Sequence, residues 1–179
     1  PKITLTVLEP QPFQIPTELK GRERRHKISE HIYDMMVDMV YHTTHIDQHL
    51  FHSLLDAARI HGYGHRVIED PSRKLLNYRQ IIRKSYLLGN LLRRACPDEK
   101  YIGLMLPTSL VNIVAFWGLQ AYDRVPCMIN FSSGLASVLS CCRAAELKTI
   151  FSSRKFIEMA KLDALEAGLV AAGIRVVCL

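Results

Sequence analysis

Apolar and polar residues change rhythm several times along this chain, and each change predicts an element. Residues 3–8, ITLTVL, alternate large apolar side chains with threonine, as a half-buried strand does. Prolines at 10, 12 and 16 then favour an extended, irregular path. No partner strand lies near in sequence, so this strand is expected to pair upstream, in a domain outside the chain. Residues 20–41 predict an amphipathic helix, because Ile28, Ile32, Met35, Met36, Met39 and Val40 recur at i, i+4, i+7, i+8, i+11 and i+12. Leu50, Phe51, Leu54, Leu55, Ala58 and Arg59 predict a second amphipathic helix, closed by Gly62 and Gly64. Residues 67–69 and 75–78 flank a turn-forming Asp-Pro-Ser-Arg and predict a hairpin. A helix follows over 78–94, with Ile81, Ile82, Leu87, Leu88, Leu91 and Leu92 on its packing side, and Cys96-Pro97-Asp98 breaks it.

The stretch 102–122 carries no charged side chain at all. Its length alone would allow a membrane span, since about 20 apolar residues cross a bilayer. Its punctuation favours a buried strand, helix and strand instead. A short apolar run over 102–106 stops at Pro107, and Thr108-Ser109 offers a helix N-cap. Leu110, Val111, Ile113, Val114, Phe116, Trp117 and Leu119 then cover every side of the next helix, so that helix is buried. Asp123-Arg124 ends it, and a second apolar run over 125–130 closes on Ser132-Ser133-Gly134. Further on, the pattern predicts a helix over 135–146, a strand over 149–152, a helix over 154–167 and a strand over 174–179. Strand starts near 102, 125, 149 and 174 are spaced by one strand plus one crossover helix. The fold class is therefore α/β, a mainly parallel sheet with crossover helices, preceded by a helical arm.

Composition changes this picture little. Hydrophobic content of 49% and charged content of 22% over 179 residues suit one sizeable globular core. The chain opens on Pro1-Lys2 rather than methionine and is expected to be a piece of a longer polypeptide. Net charge is a modest +6, and basic residues do not interleave with aromatics as on a nucleic-acid surface, so no nucleic acid is expected. Cys96, Cys127, Cys141, Cys142 and Cys178 form no Cys-x-x-Cys pair, which suits reduced thiols in a cytoplasm.

Four features invite a chemical reading. Lys20, Arg22, Arg24, Arg25 and Lys27 crowd the start of the first helix, where cations oppose the helix dipole. They fit contact with anionic lipid headgroups or an acidic protein, although a solvated basic end on a helix packed inside a larger protein is the simpler account. His42, His45, His49 and His52 would share one face of a continuous helix, but no further ligand completes a metal site. His42 with Asp47, and His65 with Asp70, have the His-x-x-x-x-Asp spacing of glycerolipid acyltransferases without the flanking motif, and both read as coincidences. Asn130-Phe131-Ser132-Ser133-Gly134 follows a strand and opens a helix, where exposed N–H groups could face a ligand; a plain polar turn with Ser as N-cap is the simpler account. No Walker loop, nucleophile elbow, paired carboxylates or Ser/His/Asp set is present, so no catalytic, cofactor-binding or metal residue is assigned.

The run LLNYRQIIRKSYLLGNLLRRA, followed by KYIGLMLPTSLVNIVAFWGLQAYDRVPCMINFSSG, resembles the N-terminal region of the AMP-forming adenylate synthetase superfamily. Asn77-Tyr78, Pro107-Thr108-Ser109 and Val125-Pro126 occupy that family's scaffold motifs, with Thr108 where Asn is usual. With CRAAELKTIFSSRKFIE, the likeness leans to the acyl-acyl-carrier-protein synthetase branch and covers about residues 50–179. With a strand ending in Glu9-Pro10, a Pro-rich link, and Gly21-Arg22-x-Arg24-Arg25 before an amphipathic helix, residues 1–49 resemble the tail of a lysophospholipid acyltransferase domain plus a linker helix. That order is similar to bifunctional acyltransferase/acyl-acyl-carrier-protein synthetases. The resemblance implies a parent enzyme that uses ATP and Mg²⁺ to activate a fatty acid as acyl-adenylate. The acyl group would pass to the thiol of acyl carrier protein and then to a lysophospholipid, 2-acylglycerophosphoethanolamine, at the cytoplasmic side of a bacterial inner membrane. It further implies that the family's catalytic residues lie outside this chain, which alone is expected to be inactive, soluble and cytoplasmic. An acyl-CoA synthetase is the alternative enzyme. A membrane-docking module built on Arg22, Arg24, Arg25 and Lys27 is the alternative without catalysis.

Overall fold

The computed structural model describes residues 5, 7, 9, 10, 12, 16, 18–44 and 48–179, in two units, 1–48 and 49–179. The strand expected over 3–8 falls largely outside the described residues. The first unit is dominated by one helix, α1 (Gly21–Thr43), which begins at extended Lys20 without a side-chain cap. At its other end the Thr43 and Thr44 hydroxyls donate to the Met39 and Val40 carbonyls at 2.7 and 2.6 Å, satisfying groups that a helix end leaves bare. No residue of α1 is buried. Because α1 stops at Thr43, His42 and His52 do not share a continuous helix, and His45 lies outside the described residues.

The second unit starts with α2 (Leu50–His61), which buries Phe51, Leu54 and Ala58, one face at helical spacing. The hairpin follows as β1 (Arg66–Glu69) antiparallel to β2 (Leu75–Asn77). Its turn is organised by the Asp70 carboxylate, which accepts from Ser72 N–H, Ser72 Oγ and Lys74 N–H at 2.9, 2.6 and 3.0 Å. Asn77 then starts α3 (Tyr78–Ala95) with a capping box: its side chain accepts from Gln80 N–H while Gln80 Oε1 accepts from Asn77 N–H. The buried face of α3 matches the expected one at Ile81 and Leu92, with Ile82 and Leu88 partly buried, and departs from it elsewhere. Tyr78, Ile81, Ser85, Gly89 and Leu92 are buried, whereas Leu87 and Leu91 are 64% and 62% exposed. Backbone approach decides this: at Gly89 a Cβ would collide with the carbonyl of Gly118 on the neighbouring helix, so the small residues, not the leucines, mark the contact.

The sheet comprises β3 (Tyr101–Leu104), β4 (Val125–Met128), β5 (Thr149–Ser152) and β6 (Arg175–Cys178), all parallel in the order β4-β3-β5-β6. The crossover from β3 to β4 is α4 (Leu110–Ala121), and α5 (Leu135–Ala144) leads from β4 to β5. Ser109 caps α4, accepting from Asn112 N–H at 3.4 Å. The uncharged run is a buried strand followed by a helix that buries one face, Val114, Ala115, Gly118 and Leu119, rather than every side; Val111 is exposed and the other α4 residues are partly buried. Among the described residues no helix is long and apolar enough to cross a membrane. The helix expected over 154–167 is two helices, α6 (Arg154–Met159) and α7 (Asp163–Ala171), because Lys161 takes a left-handed φ of 55° between them. The expected Ser N-cap of α5 is also corrected: Gly134, at φ 81°, occupies the cap position.

Strand alternation buries both faces of the sheet. Ile150 and Val176 pack with Val138, Cys142, Ile157 and Leu169 of the α5, α6 and α7 layer. Phe151 and Val177 pack with Leu92, Ala115 and Leu119 of the α3 and α4 layer. A third cluster joins Phe51, Leu54 and Ala58 of α2 to Ile81 and Val114.

Candidate functional site

In an open parallel sheet, ligands sit beyond the carboxyl ends of the strands, where successive connections leave in opposite directions. Here that point is between β3 and β5. The strand ends there are latched together. Met105 N–H donates to Phe151 O at 2.9 Å, and the fully buried Ser152 hydroxyl donates to Met105 O at 2.7 Å. Ile129 N–H donates to Leu104 O, and Leu179 N–H to Ser152 O, each at 2.9 Å. Three segments form the rim: Pro107-Thr108-Ser109, residues 130–134, and Ser153-Arg154.

The rim's polar groups are largely occupied by one another. Asn130 Oδ1 accepts from Ser132 N–H and Ser132 Oγ at 3.2 and 2.7 Å, and Ser133 Oγ donates to Asn130 O at 2.8 Å. Arg154 donates from both terminal nitrogens to the two oxygens of Glu166, at 2.8 and 2.9 Å. That pairing raises the Arg154 pKa and commits its charge to a carboxylate. The described residues contain no group of three His, Cys, Asp or Glu side chains able to hold a metal ion. Among the described residues, this edge offers a self-bonded turn, a paired arginine and exposed Lys155, and no acidic cluster for Mg²⁺. No chemical step is assigned to this edge.

Of the other residues singled out from the sequence, His49 and His52 meet edge to face with ring centroids 6.3 Å apart, whereas His65 and Asp70 have separate partners. Asp70 is engaged by Ser72 and Lys74, while the His65 ring lies against His61 and Tyr78, with centroids 6.0 and 6.3 Å away. Asp47 is outside the described residues. The five cysteines are free; Cys96 and Cys142 are buried, and Cys141 and Cys178 exposed. Arg22, Arg24, Arg25 and Lys27 are exposed in the first two turns of α1, and Lys27 Nζ reaches Glu30 Oε2 at 2.7 Å.

The surface also carries a feature that hydrophobic spacing alone did not reveal. Leu87, Leu88, Leu91, Leu110, Val111 and Val114 line an apolar groove of about 350 Å³ between α3 and α4, with Lys84 at its side. The available signal was the stripe of small residues Ser85 and Gly89, which takes the contact with α4 and turns Leu87 and Leu91 outward.

No protein-family model matches the chain. Solved structures do share its fold. The N-terminal domain of FACL13 from Mycobacterium tuberculosis superposes with a TM-score of 0.60 at 14% identity, over 72% of this chain and 33% of that one. A benzoate CoA ligase from Burkholderia xenovorans gives a TM-score of 0.60 at 16% identity, over 74% of this chain and 26% of that one. ATP-bound MatB from Rhodopseudomonas palustris gives 0.58 at 17% identity, over 72% of this chain and 24% of that one. The chain thus has the α/β fold of part of these proteins and spans no more than 33% of their length.

Proposed function

We propose that residues 49–179 are the first scaffold part of an ATP-dependent, adenylate-forming acyl ligase. We further propose that the complete polypeptide is a bifunctional lysophospholipid acyltransferase/acyl-acyl-carrier-protein synthetase. The observation that carries the ligase reading is the likeness of the β4-β3-β5-β6 sheet and its helices to the FACL13 domain and to the ATP-bound MatB chain. The scaffold motifs at Asn77-Tyr78, Pro107-Thr108-Ser109 and Val125-Pro126 add to it. In this reading the chain supplies packed layers and a latched sheet edge, and the residues that hold ATP and Mg²⁺ belong elsewhere in the polypeptide. Fatty acid would be activated as acyl-adenylate, passed to the carrier-protein thiol, and delivered to lysophospholipid at the cytoplasmic face of a bacterial inner membrane.

A second reading is favoured by one observation, the benzoate CoA ligase among the structural neighbours. It keeps the adenylate step and replaces carrier protein by coenzyme A. The two are separated by giving the complete polypeptide fatty acid, ATP and Mg²⁺ with either acceptor. Thioester on carrier protein and none on coenzyme A supports the first reading. The reverse establishes the second, and thioester on neither removes both.

A further inference from the structure

The helix α1 is built unlike any helix of the second unit. None of its 23 residues is buried, yet Ile32, Met36 and Val40 are 46%, 55% and 60% exposed apolar side chains. At 100° per residue, its residues sort into two faces. Arg25, Ile28, Ile32, Met36 and Met39 follow one another at intervals of three or four and form one stripe. Glu23, Lys27, Glu30, Asp34 and Asp38 do the same about two residues out of step, which places them about 200° away, on the opposite side.

The four cations of the first turns are therefore not equivalent. Lys27 stands in the acidic stripe and is paired with Glu30, which raises the Lys27 pKa and lowers that of Glu30. Arg25 heads the apolar stripe. Arg22 precedes it by three residues, and Arg24 heads its Ile28 and Met35 edge at i+4 and i+11. Three arginines thus border the apolar side, while the carboxylates face away from it.

We propose that α1 lies on an anionic lipid bilayer. Its apolar stripe enters the boundary between headgroups and acyl chains, Arg22, Arg24 and Arg25 meet lipid phosphates, and the acidic stripe faces water. Charge complementarity selects this occupant. A surface carrying negative charge attracts the arginine border and repels the carboxylate side, which fixes the rotation of the helix about its axis. A partner helix would need only a two-position seam, whereas Tyr33 and Val40 widen the exposed apolar arc beyond one. Tyr33, 68% exposed and placed three residues before Met36 and seven before Val40, is an amphipathic side chain suited to an interface between apolar and wet layers.

The test is vesicle flotation of the chain 1–179, with phosphatidylcholine alone and with about 30% phosphatidylglycerol added. Flotation is expected only with the anionic vesicles and should weaken as salt shortens the range of the charges. Reversal of all three arginines (R22E, R24E, R25E) should lower the bound fraction about tenfold or more. The pair I32D and M36D should lower it similarly, whereas K27E should leave it within about twofold. Circular dichroism confirms that each variant keeps its helix content. Equal binding to neutral vesicles, no binding to either, or indifference to the arginine reversals would overturn the proposal. So would a dimer in solution that M36D dissociates, since a second copy would then cover the stripe.

Discussion

A Cβ placed on Gly118 would stand 2.9 Å from both the Gly89 nitrogen and the Ser85 carbonyl oxygen, so α3 and α4 touch backbone to backbone. Helix propensity alone would favour alanine at position 118 by about 1 kcal/mol. Because the obstacle is backbone rather than a flexible side chain, the helices must move apart. Gly118→Ala is expected to destabilise the fold by about 1–3 kcal/mol in urea unfolding. An unchanged or higher midpoint would show that the helices are not in this contact.

Ser85 sits in the same contact with a fully buried hydroxyl that has no hydrogen-bond partner. Leaving such a group dry is unfavourable, and alanine is the better helix former. Ser85→Ala should therefore raise stability by about 0.5–1 kcal/mol, the opposite sign to Gly118→Ala. The urea midpoint measures it, and a loss of stability would mean that the hydroxyl is satisfied.

This contact also shows what was legible in the sequence. Strand, helix and parallel strand over 101–128 were readable because Pro107, Ser109 and Asp123-Arg124 punctuate a run with no charge. The hairpin and the start of α3 were readable because Asp70 and Asn77 bond their own backbone neighbours. The packing face of α3 was readable in part, at Ile81 and Leu92, which are buried, and at Ile82 and Leu88, which pack beside them. Leucine spacing points to Leu87 and Leu91, while the true contact uses Ser85 and Gly89, whose role depends on a second helix 29 residues away at Gly118. The break between α6 and α7 was hidden for a related reason, since Lys161 adopts a left-handed conformation that its type does not announce. At the sheet edge, the turn at Asn130 was located, but its hydrogen bonding to Ser132 and Ser133 is a product of the fold.

On the opposite edge of the sheet, Arg175 ties β6 to the end of α3. Its guanidinium donates to Ala95 O at 2.9 Å, to Thr149 Oγ1 at 3.0 Å and to Glu99 at 3.3 Å, and Thr149 Oγ1 donates to Glu99 at 2.8 Å. The other Glu99 oxygen is buried without a partner, so Arg175 is the positive charge beside a poorly hydrated carboxylate. The guanidinium is about half exposed, which limits its worth. Arg175→Met should cost about 1–2 kcal/mol, and adding Glu99→Gln should recover part of that loss. Additive losses in the double-mutant cycle would contradict the coupling.

The thiols should divide by burial. Desolvation pushes the Cys96, Cys127 and Cys142 thiols up, which lowers the thiolate fraction that reacts. Cys141 and Cys178 are exposed. Alkylation of the folded chain near about pH 8 should therefore modify those two first, with the other three following at higher pH or on unfolding. Peptide mapping that finds Cys96 or Cys142 among the fastest sites would contradict the packing of both sheet faces.

The central proposal is that residues 49–179 are scaffold of an adenylate-forming ligase whose ATP-holding residues lie elsewhere in the polypeptide. Fatty-acid-dependent exchange of pyrophosphate into ATP tests it most directly, run on the chain 1–179 and on the complete polypeptide side by side. The account predicts exchange by the complete polypeptide and none by the chain. Exchange by residues 1–179 alone, or none by the complete polypeptide, would contradict it.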